Sequence, residues 1–257
     1  MVTITVLHNE LNHFINKDSG FSILIESNNT KILLDASHSN DFSINAKKAG
    51  INLKDLDYLV LSHGHWDHTG GIKFLYKIPL TVIAHPQCFQ KRHRENRYVG
   101  SLLTKEEIEN KFKTKFSKKP FWISKDILFL IGIPRTNDFE CLKPIGVDAE
   151  NKDDFVLDDS ALVIKSERGL IIITGCGHSG ICNTIEYSKK ITKQDKILAV
   201  VGGFHLFDKN QTKKTVEYFK NNKIKKIYPM HCLDKYAFSE FKKIGAHKPK
   251  TLGQIIL

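Results

Sequence analysis

Short apolar runs rich in Val, Ile and Leu recur along the chain, each bounded by charged or turn-forming residues. Runs of this length and composition are typical of β-strands. They predict strands in the first half at residues 4–7, 21–25, 31–34, 58–61 and 80–84. In the second half they predict strands at residues 121–123, 127–131, 161–165, 170–174, 197–201 and 226–228.

Between these runs the pattern of apolar and polar positions changes to a helical one. It predicts helices or helix-like segments at residues 40–49, 70–76, 104–112, 180–191, 211–221 and 235–243. Thr104 and Glu107 have the spacing of a capping box, which marks the start of a helix. Each half therefore places strands before helices, as in layered α/β proteins, although the halves are not similar enough to be a sequence repeat.

The chain is expected to form a single domain over residues 1–257, a length common for one layered enzyme domain. Its hydrophobic content of 41% and charged content of 26% are those of an ordinary globular protein. Residues 86–120 interrupt the alternation of strands and helices with a charged segment. We predict that this segment is a basic helical insertion lying over the functional site.

The net charge is +11 and the pI is about 9.3, which fits nucleic acid, a membrane surface or a small anionic substrate as partner. Basic residues are concentrated between positions 91 and 119, namely Lys91, Arg92, Arg94, Arg97, Lys105, Lys111, Lys113, Lys115, Lys118 and Lys119. A solvated lysine-rich face is the favoured interpretation of this segment. The alternative is a rim that attracts phosphate groups.

Location is predicted from the N-terminus, the apolar runs and the cysteines. The first residues alternate as a strand does, without the basic flank and apolar stretch of a signal peptide. No apolar run approaches the length of a membrane span. The chain has 5 cysteines without a CxxC pair, which favours a reducing compartment over a disulfide framework. We therefore predict a cytoplasmic protein without membrane association.

The strongest chemical signal is the run His63-Gly64-His65-Trp66-Asp67-His68, directly after the predicted strand at 58–61. Imidazole nitrogens and carboxylate oxygens are ligands for zinc, iron and similar ions. A strand that ends in a tight loop can aim His63 and His65 at one ion while Asp67 and His68 turn toward a second. The run therefore predicts a metal centre.

Three later strands also end in potential ligands, within Gly-rich or short loops at residues 174–180, 202–205 and 229–232. These loops supply Cys176, His178, His205 and His231. Because strand ends converge at one edge of an α/β sheet, we expect these side chains to approach the first run. Asp35, which closes the strand at 31–34, either orients a metal ligand from behind or is a turn residue. The other histidines are treated as structural or surface residues, with His85 as the exception to consider because it too follows a strand: His8, His13, His38, His85, His93 and His247.

With these motifs together, the chain resembles the metallo-β-lactamase superfamily, whose HxHxDH signature corresponds to His63, His65, Asp67 and His68. The resemblance implies an αββα sandwich, a mixed α/β (α+β) fold of two mixed sheets flanked by helices, with metal at one sheet edge. The sequences SHGHWDHTGG, TGCGHSGI, VVGGFHL and PMHC are similar to the group named after 7,8-dihydropterin-6-methyl-4-(β-D-ribofuranosyl)-aminobenzene-5'-phosphate synthase. A shared fold does not imply that this chain catalyses the reaction in that name.

The chain departs from the family pattern at two positions. Many members carry a histidine shortly before the strand at 170–174, but residues 155–160 contain none. His178 is expected to take this role, with Asp159 as the alternative. Cys176 stands where many members have a metal-bridging aspartate. Its thiolate bridges the ions, binds one of them, or takes no part.

The resemblance implies two divalent metal ions, with zinc favoured and iron or manganese as alternatives. His63, His65 and His178 are expected around one ion and Asp67, His68 and His231 around the other, with water or hydroxide between them. The candidate catalytic residues are Asp67 and His205, of which His205 is expected to hold a phosphate or polarise a leaving group.

Several functions fit this centre. We favour a hydrolase of a phosphorylated or other anionic small molecule. The first alternative is a transferase that joins a dihydropterin pyrophosphate to an aminobenzene ribose phosphate. A nuclease, or a redox or noncatalytic metal-binding protein, ranks below both. Nucleic acid is a disfavoured partner on this interpretation, and a homo-oligomer is compatible with it.

Overall fold

The computed structural model describes residues 1–10 and 19–257, so His13 lies outside the described residues. The strands of the first half are β1 (Val2–Asn9), β2 (Phe21–Ser27), β3 (Thr30–Leu34), β4 (Tyr58–Val60), β5 (Thr81–Ala84), β6 (Arg92–Arg94), β7 (Arg97–Tyr98), β8 (Lys113–Phe116), β9 (Phe121–Trp122) and β10 (Ile127–Leu130). Those of the second half are β11 (Gly146–Asp148), β12 (Asp153–Asp154), β13 (Ala161–Ser166), β14 (Gly169–Thr174), β15 (Ile197–Gly202), β16 (Lys226–Pro229) and β17 (Gln254–Ile256).

The α-helices are α1 (Asp41–Lys48), α2 (Trp66–Thr69), α3 (Lys105–Lys111), α4 (Ile181–Thr192), α5 (Lys209–Asn221) and α6 (Lys235–Lys242). The capping box at the start of α3 is confirmed, because Thr104 accepts from the Glu107 amide and Glu107 accepts from the Thr104 amide. The predicted helix at 70–76 is a 3-10 helix, Gly70–Leu75. No helix in the described ranges is long and apolar enough to cross a membrane.

Two large sheets form the centre of the fold. The first has the order β17-β1-β2-β3-β4-β5-β8 and the second β16-β15-β14-β13-β10-β9. Strands β3, β4, β5 and β8 run parallel in the first sheet, and β14, β15 and β16 run parallel in the second. Both sheets are therefore mixed, as the resemblance implied.

The apolar side chains that alternate along these strands make three cores. Ile23 and Leu34 of the first sheet pack with Ile171 and Val201 of the second, which joins the sheets face to face. The outer face of the second sheet is covered by α4, α5 and α6. The outer face of the first is covered by α1, α3 and 3-10 turns. The predicted αββα sandwich is confirmed.

Residues 86–120 contain α3 together with three strands. Strand β8 pairs in parallel with β5 at the edge of the first sheet, and β6 and β7 join β11 and β12 in a small third sheet. Arg92 on β6 is fully buried. The segment that was expected to be a helical insertion thus also extends the sandwich, because its short strands find partners that are distant in sequence.

Candidate metal centre

The candidate residues lie at the carboxyl ends of five parallel strands, which meet at one edge of the sandwich. The loops after β3, β4, β14, β15 and β16 supply the side chains. Asp35, His205 and His231 have positive φ angles of 60°, 47° and 51°. Such backbone is uncommon outside glycine and is tolerated where surrounding contacts hold it. Here it turns each side chain sharply out of its strand.

His63, His65 and His178 form a group that we call the histidine cluster. One ring nitrogen from each lies within 4.8 Å of the others. His63 Nε2 and His65 Nδ1 are 2.9 Å apart. Burial lowers the pKa of all three rings, that of His65 to about 3. The rings are therefore neutral near pH 7, which leaves nitrogen lone pairs for a cation.

Unpaired nitrogens in the histidine cluster test whether a metal ion fits it. Both ring nitrogens of His178 and the Nε2 atom of His65 are buried without a hydrogen-bond partner in the part of the chain that the structure describes. Buried polar atoms nearly always have a partner. An ion between the rings would bind one nitrogen of each ring and so satisfy one of the two unpaired nitrogens of His178. The donor set therefore fits a divalent metal of the type that imidazole binds.

Asp67, His68 and His231 form a second group, the mixed cluster, whose ligand atoms also lie within 4.8 Å of one another. His68 Nε2 is 3.1 Å from His231 Nε2, and His231 Nε2 is 3.4 Å from Asp67 Oδ2. Burial alone would raise the pKa of Asp67, but the adjacent His68 and His231 hold it well below its usual range. Burial opposes charge on His68 too, yet Asp35 and Asp67 raise its pKa.

Asp35 supports both clusters from behind. Its Oδ2 atom is 2.7 Å from His68 Nδ1, and its two oxygens accept from the amide and the hydroxyl of Ser62, each at 2.7 Å. The Ser62 hydroxyl is in turn 2.9 Å from His63 Nδ1. On the other side, His231 Nδ1 lies 3.0 Å from the Glu10 carbonyl oxygen. Carboxylates and carbonyls in this position fix the ring that a metal ligand presents.

Residues 155–160, where many members of the family that the chain resembles carry a histidine, contain two buried aspartates. Asp158 accepts from the Gly64 amide at 2.8 Å and pairs with the Arg92 guanidinium at 2.7 Å. Asp159 accepts from the Ser179 amide at 2.7 Å, and burial raises its pKa to about 6. Asp159 thus holds the loop that carries His178, and it belongs to neither cluster among the described residues.

Cys176 and Cys232 lie beside the mixed cluster. Cys176 Sγ is 3.3 Å from His68 Nε2. The sulfurs of Cys176 and Cys232 lie within 4.8 Å of each other and of a His231 ring nitrogen. No role for Cys232 was predicted from the sequence. The signal that points to it is its position directly after His231, in a loop already expected to reach the centre.

A cavity of about 480 Å³ opens beside His178 and His205. Its wall includes the rings of Phe139, Phe155 and Phe207 and the side chains of Lys143 and Lys214. His205 is half-buried, its ring centroid is 4.3 Å from that of His178, and its Nδ1 atom has no hydrogen-bond partner in the described ranges. No residue of 91–119 lines the cavity, and the lysines at this cavity come from other loops.

Comparison with known proteins decides the family. The model of the metallo-beta-lactamase superfamily matches residues 15–231. The chain belongs to this superfamily. Its members are mostly metal-dependent hydrolases and usually hold divalent ions, which agrees with the donor clusters found here. The resemblance stated from the HxHxDH run is confirmed.

Two proteins of Methanocaldococcus jannaschii are similar to this superfamily member over most of its length. An uncharacterized protein is 37% identical over 249 residues, covering 92% of each chain. A 7,8-dihydropterin-6-methyl-4-(beta-D-ribofuranosyl)-aminobenzene-5'-phosphate synthase is 35% identical over 232 residues, covering 82% of this chain and 79% of its own. A crystal structure described as a metal-dependent hydrolase of the beta-lactamase superfamily superposes with a TM-score of 0.86 at 27% identity, covering 100% of this chain and 99% of that one.

Proposed function

We propose that the protein is a metal-dependent hydrolase that acts on a phosphorylated or otherwise anionic small molecule. The observation that carries the proposal is the position of the cavity. It lies directly against His178 of the histidine cluster and brings Lys143 and Lys214 to the same space. A bound anion would therefore reach the metal ligands and the lysines together.

The donor sets support two divalent ions, with zinc favoured by the number of imidazoles. His63, His65 and His178 would hold one ion, and Asp67, His68 and His231 the other. Two ions in such a centre lower the pKa of bound water and offset negative charge on the reacting group. Asp67 contributes a permanent carboxylate, because its neighbours His68 and His231 keep its pKa low despite burial.

His205 and the lysines are proposed to orient the substrate. His205 lies at the boundary between the histidine cluster and the cavity, where a ring nitrogen can contact a phosphate or a leaving group. Lys143 is exposed and has no ion-pair partner among the described residues, whereas Lys214 lies 3.5 Å from Asp138. Lys143 is therefore the more available cation for an anionic substrate.

The cavity wall supports a substrate with an apolar part. Three phenylalanine rings face a space of about 480 Å³, within the usual range of small-molecule sites. The surrounding rings would exclude water from the apolar part, while the lysines bind the anionic part. Binding of this kind positions the reacting bond at His178 and His205.

A pterin-pathway transferase is the second candidate, because the synthase relative is 35% identical over 82% of this chain. We propose it as an alternative use of the same ligands, in which the anion held at the centre is a pyrophosphate leaving group. The two candidates differ in the acceptor. A hydrolase transfers to water, and the transferase transfers to an aminobenzene ribose phosphate.

The test is metal analysis of the purified protein followed by a substrate panel. The panel contains phosphomonoesters, phosphodiesters, lactones, RNA and a dihydropterin pyrophosphate, each with and without the aminobenzene ribose phosphate. Turnover of a small anion without the second compound supports the hydrolase, and turnover that requires it supports the transferase. If RNA alone is cleaved, or if the metal-loaded protein turns over nothing in the panel, the hydrolase proposal is wrong.

His205→Ala tests the orienting role separately. We expect a higher KM or a lower kcat at unchanged metal content, because His205 is outside both clusters. If turnover and substrate affinity are both unchanged, His205 has no such role.

A further inference from the structure

Cys176, His231 and Cys232 form a third donor group, which we call the sulfur cluster. Their two sulfurs and one imidazole nitrogen lie within 4.8 Å of one another. All three residues are buried, with 2%, 0% and 7% of their surface exposed. The sulfur cluster shares His231 with the mixed cluster, so a single ion at His231 has two alternative sets of further ligands.

The sulfur cluster is built from two strand ends that are distant in sequence. Cys176 follows β14 and Cys232 follows β16, and the two strands flank β15 in the second sheet. Cys176 Sγ also approaches His68 Nε2 at 3.3 Å, which places the sulfurs against the metal centre. The other cysteines have different surroundings: Cys88 and Cys182 pack in apolar cores, and Cys141 donates to the His178 carbonyl oxygen.

The chemistry of these donors differs from that of the mixed cluster. Carboxylate and imidazole accept zinc, iron and manganese, whereas thiolates select thiophilic ions such as zinc and disfavour manganese and magnesium. Two thiolates and one imidazole supply three of the four ligands of tetrahedral zinc and leave the fourth position open. When a divalent ion binds, each thiol gives up its proton and the protons pass to solvent.

We propose that Cys232 is a metal ligand and that zinc, as the second ion of the centre, is bound by Cys176, His231 and Cys232. Manganese, which disfavours sulfur, takes the mixed cluster instead. This inference rests on the metal centre of the proposed function and revises one part of it: when the second ion is zinc, Cys176 and Cys232 replace Asp67 and His68 as its ligands beside His231. The metal that the protein carries then decides which side chains bind the second ion.

The experiment replaces zinc by cobalt(II), whose bonds to thiolate give a charge-transfer absorption in the near ultraviolet. Metal-free full-length protein is kept in a thiol reductant and titrated with cobalt(II). The variants are Cys176→Ser, Cys232→Ser and the double variant, and the matched control is Cys182→Ser, a buried cysteine outside the cluster. We expect the band to fall by about half in each single variant, to vanish in the double variant, and to persist in the control.

Absence of the band from wild-type protein with cobalt bound overturns the proposal, as does an undiminished band in Cys232→Ser. If that variant does not fold, alkylation of the wild type decides. Cys232 is expected to be protected by zinc and not by manganese, and equal modification in both overturns the proposal. Binding of two ions with turnover but without sulfur bonding leaves the hydrolase intact, whereas failure to bind any ion removes both proposals.

Discussion

The histidine cluster and the mixed cluster lie side by side, yet their buried side chains differ in protonation and charge. The histidine cluster contains only imidazoles, and burial lowers their pKa values until the rings are neutral. In the mixed cluster, burial is outweighed by Asp35 and Asp67, which raise the pKa of His68. The first cluster therefore presents lone pairs, and the second already holds protons and charge.

This difference determines how each cluster is expected to respond to metal. An ion at the histidine cluster binds ring nitrogens that otherwise have no hydrogen-bond partner, and it displaces few protons. An ion at the mixed cluster must displace protons from His68 and His231. As the pH falls, metal binding to the mixed cluster should therefore weaken at a higher pH than metal binding to the histidine cluster. The adjoining sulfurs of Cys176 and Cys232 add further protons to be displaced. Two sites of one centre can thus differ in affinity and in pH dependence.

The largest effect is expected when one donor is removed from each cluster. His65→Ala combined with Asp67→Ala should reduce turnover by more than about three orders of magnitude, because the histidine cluster and the mixed cluster each lose a donor. Metal content measured with turnover on the same preparation checks this. Circular dichroism controls for folding. Retained activity in a folded double variant would show that the two-metal interpretation is wrong.

The next largest effect is expected on metal affinity, when the carboxylate that supports each cluster is replaced. Asp35→Asn weakens the contact to His68 Nδ1 and should lower metal affinity roughly 10- to 100-fold, mainly at the mixed cluster. Asp159→Asn is the matched change behind the His178 loop and should affect mainly the histidine cluster. Competitive chelator titrations of both variants measure the two affinities. Identical profiles for the two variants would remove the distinction between the clusters.

The pH dependence of the metal-free protein tests the neutral histidines. His65 has a pKa near 6.5 when unfolded and about 3 when folded, so between these values the unfolded chain takes up a proton that the folded chain refuses. The unfolding free energy should fall with decreasing pH by about 1.4 kcal/mol per pH unit for each such histidine. His68, whose pKa is raised, is protonated in both states there and adds no loss.

Urea unfolding of metal-free protein from pH 7 to pH 4 gives this slope. His65→Gln and His178→Gln should each make it shallower. A slope that neither variant changes would contradict the neutral state of the histidine cluster.

The smallest effect is expected outside both clusters, at the cavity rim. Lys143→Ala should raise KM about tenfold for an anionic substrate, the equivalent of one lost charge-assisted hydrogen bond, and leave the metal content unchanged. Lys119→Ala is the control, since Lys119 is an exposed lysine of the basic segment that does not line the cavity. Equal effects in the two variants would indicate that overall charge, and not Lys143, attracts the substrate.

The sequence was most informative where local pattern decides structure. The apolar runs predicted the long strands of both sheets, and the capping box at Thr104 predicted the start of α3. Strands β6, β7, β8, β11, β12 and β17 were missed because two to four residues carry too little periodicity. The basic segment was expected over the site, and part of it contacts the metal loop: the Val99 carbonyl accepts from the Trp66 amide, and Gly100 forms a bridge with His65. The sequence did not predict that Arg92 of this segment is buried in an ion pair with Asp158, a partner 66 positions away.

By itself the sequence determined the family, the αββα sandwich and the donors His63, His65, Asp67 and His68, because these four lie within one loop and their spacing is local. Through its resemblance to the superfamily, the sequence also predicted that His178 joins His63 and His65 and that His231 joins Asp67 and His68, and the tertiary structure brings both groups together. Only the tertiary structure decided that Cys232 meets Cys176. The physical reason is that parallel strands bring their carboxyl ends together whatever their separation in sequence. The cavity depends on the same long-range packing, which is why the lysines beside His205 come from loops that no local motif identified.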